Sequence, residues 1–192
     1  MTLAPNGDVI LAEPLRGAAR ITILRDADRD GVAETRSTFA AELNRPFGLA
    51  VWKGYLYVGN NDSVVRFAYA PGQLTATGMP ERIVDLPPSD AALDQDTATR
   101  LRIDLSQTRG YNHWTRNLVF NPAGTKLYVT VGSSTNATPE ADPRRAAINE
   151  YNPDGTGHRV FASGLRNPVG LAYYPGTSTL WTVSYVEGSI LF

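Results

Sequence analysis

The sequence predicts an all-β fold, and three observations lead to this prediction. Short apolar runs recur along the 192 residues, and most are rich in Val, Ile, Thr and aromatic side chains, which suit a pleated, half-buried surface. Seventeen glycines and thirteen prolines are spread along the chain and provide tight turns between these runs. Dipeptides typical of hairpin turns, such as NG, KG, AG and PG, separate several of the runs.

Seven segments are predicted to contain strands because each combines β-branched or aromatic residues with flanking turn residues. In chain order they are DVILAE, RITILRD, GLAVWKGYLYVGN, SVVRFAY, RNLVFNPAGTKLYVTVG, RVFASG and VGLAYYPGTSTLWTVSY. The range 71–109 has little periodicity and many Pro, Asp and Thr residues, which predicts an irregular surface insertion. No domain boundary is predicted there, so residues 1–192 are expected to form a single domain.

Three segments share one pattern, in which an apolar run meets a turn and a second strand with an aromatic residue follows. They are PFGLAVWKGYLYVGN, RNLVFNPAGTKLYVTVG and NPVGLAYYPGTSTLWTVSY, and the opening LAPNGDVILAE resembles a fourth copy. Hairpin repeats of this kind are typical of β-propeller blades, which stack around an axis in rings of about 4 to 8. The sequence therefore predicts three to four blades of a partial propeller, and a homodimer that completes the ring is one expectation.

Composition excludes several classes of function. The formal net charge is -1, and the eighteen basic residues form no block that could follow a phosphate backbone, so no nucleic-acid partner is expected. No apolar run approaches the roughly 20 residues of a membrane span, and the first residues lack the basic start and apolar centre of a signal peptide. The absence of cysteine excludes disulfides and thiolate chemistry.

The segment RDADRDGVAE alternates carboxylates and then places a glycine, as in the first half of a calcium-binding loop. The candidate ligands are Asp26, Asp28, Asp30 and Glu34, with Gly31 at the turn. A full EF-hand needs a Glu at the twelfth position, where Ser37 stands, so Glu34 would supply the late carboxylate. The alternative is a solvated acidic turn between two strands. A calcium ion here would be structural.

A second group of residues lies just before predicted strands. His113 precedes the strand of RNLVF, and Arg166 and Asn167 precede the strand of PVGLAYY in the same relation. Equivalent strand entrances of a propeller face one central cavity, so His113, Arg166 and also Arg45 are expected to share a site where a neutral imidazole can accept a proton. The alternatives are a partly buried packing histidine, and turn chemistry for the Arg-Asn-Pro units. His158 is expected to be solvent-exposed.

These segments together resemble a known family. LRDADRDGVAETR, LNRPFGLAVWKGYLYVGNNDSVVRF, HWTRNLVFNPAGTKLYVTVGSSTN and INEYNPDGTGHRVFASGLRNPVGLAYYPGT are similar to the sorbosone dehydrogenase group of soluble quinoproteins, relatives of the soluble glucose dehydrogenase. The resemblance implies a six-bladed propeller that binds pyrroloquinoline quinone and calcium on its axis, in a periplasmic or secreted protein. It implies a sugar substrate and an electron acceptor as partners.

The resemblance also implies roles for residues. His113 matches the general base that takes the proton of the substrate hydroxyl as hydride passes to the quinone, and Arg166 and Asn167 match residues that contact the cofactor. One alternative is a non-catalytic, calcium-stabilised propeller fragment or binding module. Another is a sugar-lactone hydrolase, although those enzymes place carboxylates and asparagines around an axial metal where this chain offers His113, Arg166 and Arg45.

Overall fold

The computed structural model describes residues 1–15, 17–89, 113–134 and 139–184. These residues contain fourteen strands and no helix, so no helix within them could cross a membrane. The strands are β1 (Thr2–Leu3), β2 (Val9–Glu13), β3 (Arg20–Arg25), β4 (Thr35–Ala41), β5 (Gly48–Trp52), β6 (Tyr55–Gly59), β7 (Ser63–Ala68), β8 (Glu81–Asp85), β9 (Leu118–Phe120), β10 (Leu127–Val131), β11 (Ala147–Tyr151), β12 (Arg159–Ala162), β13 (Pro168–Tyr173) and β14 (Leu180–Ser184).

Four antiparallel sheets follow one another along the chain. Strands β1 to β4, β5 to β8 and β9 to β12 each form a four-stranded sheet in chain order, and β13 pairs with β14. In each four-stranded sheet the third and fourth strands pair with a register shift. The repeated shift indicates that the three sheets are copies of one structural unit, as the hairpin repeats predicted.

The sheets pack face to face, and the second sheet shows how. On β6, Leu56 and Val58 lie in an apolar cluster with Ile10, Ile21 and other residues of the first sheet. Tyr57 points to the opposite face and lies in a second cluster with residues of the third sheet, which include Leu127, Val129 and Val131. Alternating side chains of one strand therefore enter two different cores. This is how the blades of a propeller stack.

The first strands of the four sheets contact one another in the order β1, β5, β9 and β13. Two glycines permit a close approach: a Cβ on Gly59 would lie 2.3 Å from the carbonyl oxygen of Arg116, and one on Gly48 would lie 2.5 Å from the same atom. The Gly48 N–H instead donates a hydrogen bond to this oxygen at 3.0 Å. The segment that leads into β9 is thus held against the second sheet.

The prediction of an irregular insertion over 71–109 is wrong for residues 81–85, which form β8. This strand pairs with β7 and brings Val84 into the core between the second and third sheets. ERIVD has only two apolar residues, Ile83 and Val84, which are adjacent and flanked by charged ones, so the segment lacks the alternation of a strand and its pairing with β7 comes from tertiary contacts. Residues 90–109 lie outside the described residues, and the single domain over 1–192 stays a prediction.

Candidate functional site

The candidate site lies where two first strands begin. Residues 113–117 lead into β9, residues 163–167 connect β12 to β13, and the end of β10 lies between these segments. The Ser133 N–H donates a hydrogen bond to the Arg166 carbonyl at 2.7 Å, and the Asn117 side-chain amide donates to the Val169 carbonyl at 3.0 Å. These bonds fix the entrance of the third sheet against that of the fourth.

His113 is buried, with 6% of its surface exposed. Its Nδ1 atom lies 3.0 Å from the Ser133 carbonyl oxygen and 2.9 Å from the Ser133 hydroxyl oxygen. A carbonyl oxygen only accepts hydrogen bonds, so the contact with the Ser133 carbonyl is a hydrogen bond in the tautomer in which Nδ1 carries the proton and donates. Nε2 is then left with its lone pair, and this is the form of an imidazole that can act as a base.

The surroundings of His113 keep this imidazole neutral. Burial is the main cause that lowers the pKa of His113, and the hydrogen bond to the Ser133 backbone opposes it. The positive charges of Arg166 and Arg116 lower the pKa further, whereas the carboxylate of Glu140 raises it. The net pKa is below the usual value for histidine, so His113 is unprotonated at neutral pH.

Gly132 shows how closely the predicted site residues lie. A Cβ built on Gly132 would be 2.4 Å from the His113 Cβ and 2.8 Å from the Asn167 Oδ1. His113 and Asn167 therefore flank the Gly132 backbone. The Arg166 carbonyl accepts a hydrogen bond from the N–H of the next residue, Ser133. The structure brings together all three residues that were assigned to base and cofactor roles.

Asn167 leaves one polar atom without a partner. Its Oδ1 is buried and makes no hydrogen bond, although its backbone N–H donates to the Ser184 hydroxyl at 3.3 Å. A buried side-chain carbonyl without a donor costs about 1–3 kcal/mol, so such atoms are rare unless a ligand or water satisfies them. This atom marks a position where a ligand donor would be stabilised.

Arg45 lies close to this site but contacts a neighbour of His113. Its guanidinium is 4.4 Å from the centre of the Trp114 ring, and the same ring packs edge-to-face on Phe47. Arg45 also has a positive φ of 51°. The expectation that it shares a site with His113 stays untested by these contacts. His158 is exposed, as predicted, and its Nε2 lies 2.9 Å from the Asn149 Oδ1.

The sequence analysis missed Arg116, which is fully buried. The guanidinium donates hydrogen bonds to the carbonyl oxygens of His113 at 2.7 Å, Thr115 at 3.0 Å and Pro87 at 2.8 Å, while its Nε has no partner. Burial lowers the pKa of Arg116 to about 9. The segment HWTRN contains this residue, but nothing in the letters distinguishes a buried arginine from an exposed one.

The acidic loop between β3 and β4 lies at the opposite end of its sheet from the strand entrances, because successive strands of a meander reverse direction. One ligand oxygen from each of four carboxylates lies within 4.8 Å of the others. Backbone N–H groups shape the loop: Arg29 and Gly31 donate to the Asp26 carboxylate at 2.6 and 2.8 Å, and Ala27 donates to Glu34 at 2.8 Å. The structure therefore gathers Asp26, Asp28, Asp30 and Glu34, away from His113.

Comparison with solved structures gives three relatives of interest. The calcium structure of the family AA12 carbohydrate-active enzyme of Trichoderma reesei has a TM-score of 0.71 and 18% identity. The holo form of the pyranose dehydrogenase PQQ domain of Coprinopsis cinerea has a TM-score of 0.64 and 20% identity. The PQQ-bound aldose sugar dehydrogenase of Streptomyces coelicolor has a TM-score of 0.62 and 16% identity. This likeness shows the propeller fold.

The alignments cover 96%, 89% and 95% of this chain and 45%, 39% and 54% of those three chains, respectively. The chain thus spans about half the length of the structures it matches. A comparison with curated protein sequences found no match. The model of the TrAA12-like family matches residues 1–189, which is nearly the whole chain. This protein belongs to the TrAA12-like family.

Proposed function

We propose that this chain forms part of an oxidoreductase that uses pyrroloquinoline quinone to oxidise a sugar or sugar aldehyde of the sorbosone or glucose type. The observation that carries the proposal is the convergence of His113, Arg166 and Asn167 around Gly132. Membership of the TrAA12-like family supports it, as do the PQQ-bound relatives. In this proposal the sheets are blades of a six-bladed ring.

The residues present fit the quinone. Its carboxylates and quinone oxygens suit a guanidinium, which Arg166 offers beside His113. Its pyrrole N–H is a hydrogen-bond donor, and the buried Oδ1 of Asn167 is an acceptor without a donor. Arg166 and Asn167 are therefore the residues that would hold the cofactor.

His113 is the proposed general base. Ser133 holds Nδ1 as the donor, so Nε2 is the atom that accepts the proton of the substrate hydroxyl. The depressed pKa keeps Nε2 unprotonated at neutral pH, and the buried position excludes bulk water from the imidazole. The quinone, when bound, supplies the acceptor for the hydride that leaves the carbon bearing that hydroxyl.

We also propose that the acidic loop binds a structural calcium ion. Oxygen ligands lie 2.3–2.6 Å from calcium, so two ligands of one ion are at most about 5 Å apart. The four carboxylates satisfy this condition at 4.8 Å. A calcium-stabilised, non-catalytic fragment is the second candidate function, and this loop is the observation that favours it.

The proposal is tested by titrating the purified chain with pyrroloquinoline quinone, with and without calcium, while recording cofactor absorbance and thermal unfolding. A ligand that binds only the folded state raises the melting temperature. We expect saturable binding that Arg166→Ala weakens and that Arg36→Ala, a change at an exposed arginine of β4, leaves intact. His113→Ala should retain binding and lose dye reduction with sugars. Stabilisation by calcium alone, with no quinone binding, would favour the second candidate.

A further inference from the structure

The peptide group between Ser133 and Ser134 lies between an imidazole and a carboxylate. Its carbonyl oxygen, which belongs to Ser133, lies 3.0 Å from the Nδ1 of His113. Its N–H, which belongs to Ser134, donates a hydrogen bond to the Oε1 of Glu140 at 2.8 Å. We propose that Glu140 is a positioning residue that acts through this peptide group and stabilises His113 after the imidazole has taken the proton of the substrate. This inference rests on the proposed function, which makes His113 the base.

The carboxylate of Glu140 is oriented by two hydrogen bonds from one residue. Besides the N–H, the hydroxyl of Ser134 donates to the Oε2 of Glu140 at 2.7 Å. Hydrogen bonds to a charged acceptor are roughly twice as strong as those between neutral groups. The other side of Ser133 is also held, because its N–H donates to the Arg166 carbonyl at 2.7 Å. The peptide group is therefore fixed in place between His113 and Glu140.

A peptide group can transmit the effect of a charge from one side to the other. Resonance joins the nitrogen, the carbon and the oxygen, so a carboxylate at the N–H polarises the group and makes its oxygen a stronger acceptor. In the protonated imidazole both nitrogens carry protons, so Nδ1 of His113 then donates to the Ser133 carbonyl whichever tautomer the neutral ring has. The arrangement thus stabilises the protonated ring more than the neutral one.

The other surroundings of His113 act in the opposite direction. Burial and the positive charges of Arg166 and Arg116 lower the pKa of His113, whereas the hydrogen bond to the Ser133 backbone and the charge of Glu140 raise it. Arg166 lies before β13, Arg116 lies before β9, and Glu140 follows β10. A general base works best when its pKa lies near the operating pH, so a base with too low a pKa accepts the proton poorly. Glu140 offsets part of this loss.

The test is a titration of the histidine imidazoles of the chain, without quinone, followed by nuclear magnetic resonance. The chain has two histidines, and His158 serves as an internal reference because burial, Arg144 and Asp142 determine the shift of its pKa. Glu140→Gln keeps an acceptor for the Ser134 N–H and removes the charge. We expect this variant to lower the pKa of His113 and to leave that of His158 unchanged.

The unmodified chain provides a second measurement that needs no variant. Since the Ser134 N–H belongs to the peptide group that contacts Nδ1, its amide proton signal should move as His113 titrates. The midpoint of this movement should equal the midpoint of the His113 imidazole. An amide signal of Ser134 that does not follow His113 would overturn the inference.

Two further variants separate the charge of Glu140 from the shape of its loop. Glu140→Asp keeps the charge and should lower the pKa of His113 less than Glu140→Gln does. Glu81→Gln, at a carboxylate of β8 that is 58% exposed, is the matched control and should leave both histidines unchanged. In the quinone-loaded chain, Glu140→Gln should reduce kcat by about tenfold with little change in KM, less than the roughly 10²–10⁴-fold that general-base catalysis contributes.

The inference is overturned if Glu140→Gln leaves the titration of His113 unchanged. Equal shifts for the Gln and Asp variants would overturn it as well, because such shifts would not depend on the charge. Failure of the proposed function looks different, since it shows as absent quinone binding. A pKa of His113 that depends on the charge of Glu140 supports the inference whether or not quinone binds.

Discussion

His113 makes the folded state sensitive to acid. The pKa of His113 is lower in the folded protein than in the unfolded chain, where a histidine has a pKa of about 6.5. As the pH falls, the unfolded chain therefore binds the proton first. The associated stability is present above that value and is lost as the pH falls toward the folded pKa. We expect a larger drop in the free energy of unfolding between neutral and acidic pH for the unmodified chain than for His113→Gln.

Urea unfolding at several pH values measures this difference. His158 also has a depressed pKa but is present in both proteins, so its contribution cancels. Arg166, Arg116 and Glu140, the charged groups that face His113, remain in both as well. Equal pH dependence of the two proteins would contradict the buried, neutral imidazole.

Arg116 is expected to hold the segment that carries His113. Replacing it by Met leaves the carbonyls of His113, Thr115 and Pro87 without a donor, and we expect a loss of about 3 kcal/mol in the free energy of unfolding. The pKa of His113 should rise, because a nearby positive charge is removed.

Urea unfolding and titration of the His113 imidazole by nuclear magnetic resonance measure these two effects. Arg36→Met, at a side chain that is 61% exposed, should change stability by less than about 1 kcal/mol. A variant at Arg116 as stable as this control would show that the buried guanidinium does not hold the segment.

Three site residues could be predicted from the sequence because their place in the site follows from their position just before a strand. His113, Arg166 and Asn167 stand in the same relation to an apolar strand, and repeated units bring equivalent entrances together. The role of Ser133 depends on the approach of two separate segments, and no local pattern encodes that approach. The close approach of the Arg116 backbone to the second sheet depends on Gly48 and Gly59, which are distant from it in sequence.

At the scale of elements, the hairpin between β9 and β10 joins the second and third sheets. Gly124 in its turn has a φ of 63°, and a Cβ there would lie 1.7 Å from the Trp52 ring. We expect Gly124→Ala to cost about 3 kcal/mol or more, because Trp52 must move and the backbone is strained. Thermal and urea unfolding measure this cost.

Gly176 provides the matched control for that substitution. It occupies the corresponding turn between β13 and β14, with a φ of 74° and no atom within 4 Å of the added Cβ. Gly176→Ala should therefore cost only the backbone penalty of about 1–2 kcal/mol. Similar losses for the two variants would contradict the role of the Trp52 contact.

The loop between β3 and β4 should respond to calcium. If it binds the ion, calcium at 100 times its dissociation constant raises the free energy of unfolding by about 2.7 kcal/mol, and Asp28→Asn reduces this gain by weakening the site. Thermal unfolding with and without calcium measures the effect. Asp154→Asn, in the equivalent turn of the third sheet, should keep the full gain. An unchanged melting temperature in calcium would support a solvated acidic turn.

Strands with strong local patterns could be predicted, and strands defined by their neighbours could not. The paired strands β5 and β6 are rich in apolar and aromatic residues on either side of a KG turn, and the prediction of this hairpin is confirmed. Strands β4, β8 and β11 were missed because their segments mix charged or small residues with few apolar ones. Their buried residues acquire an apolar environment only after the sheets stack.

At the scale of the whole molecule, the last described sheet exposes an apolar face. Trp181 is 61% exposed and Val183 is 72% exposed, both on one face of β14, and the Tyr174 ring stacks on Trp181 at 5.7 Å. Apolar surface of this kind favours association, so we expect the chain to form a homodimer through this face. Sedimentation velocity should show concentration-dependent dimers.

The double variant Trp181→Ser, Val183→Thr should shift the protein toward the monomer, whereas Met79→Ser should not. Met79 is 92% exposed but lies in the loop before β8, away from this face. A single monomeric species for the unmodified chain at every concentration would contradict the expected dimer.

The order of strands along the chain also affects how the molecule folds. Every strand of the described sheets pairs with the strand that comes next or before it in sequence. Most hydrogen-bonded pairs therefore close short loops, which makes the entropy cost of forming each sheet small and its formation fast. The first sheet ends at Ala41, so during synthesis its strands leave the ribosome before those of the second sheet have been made. We therefore expect the sheets to fold one at a time in chain order.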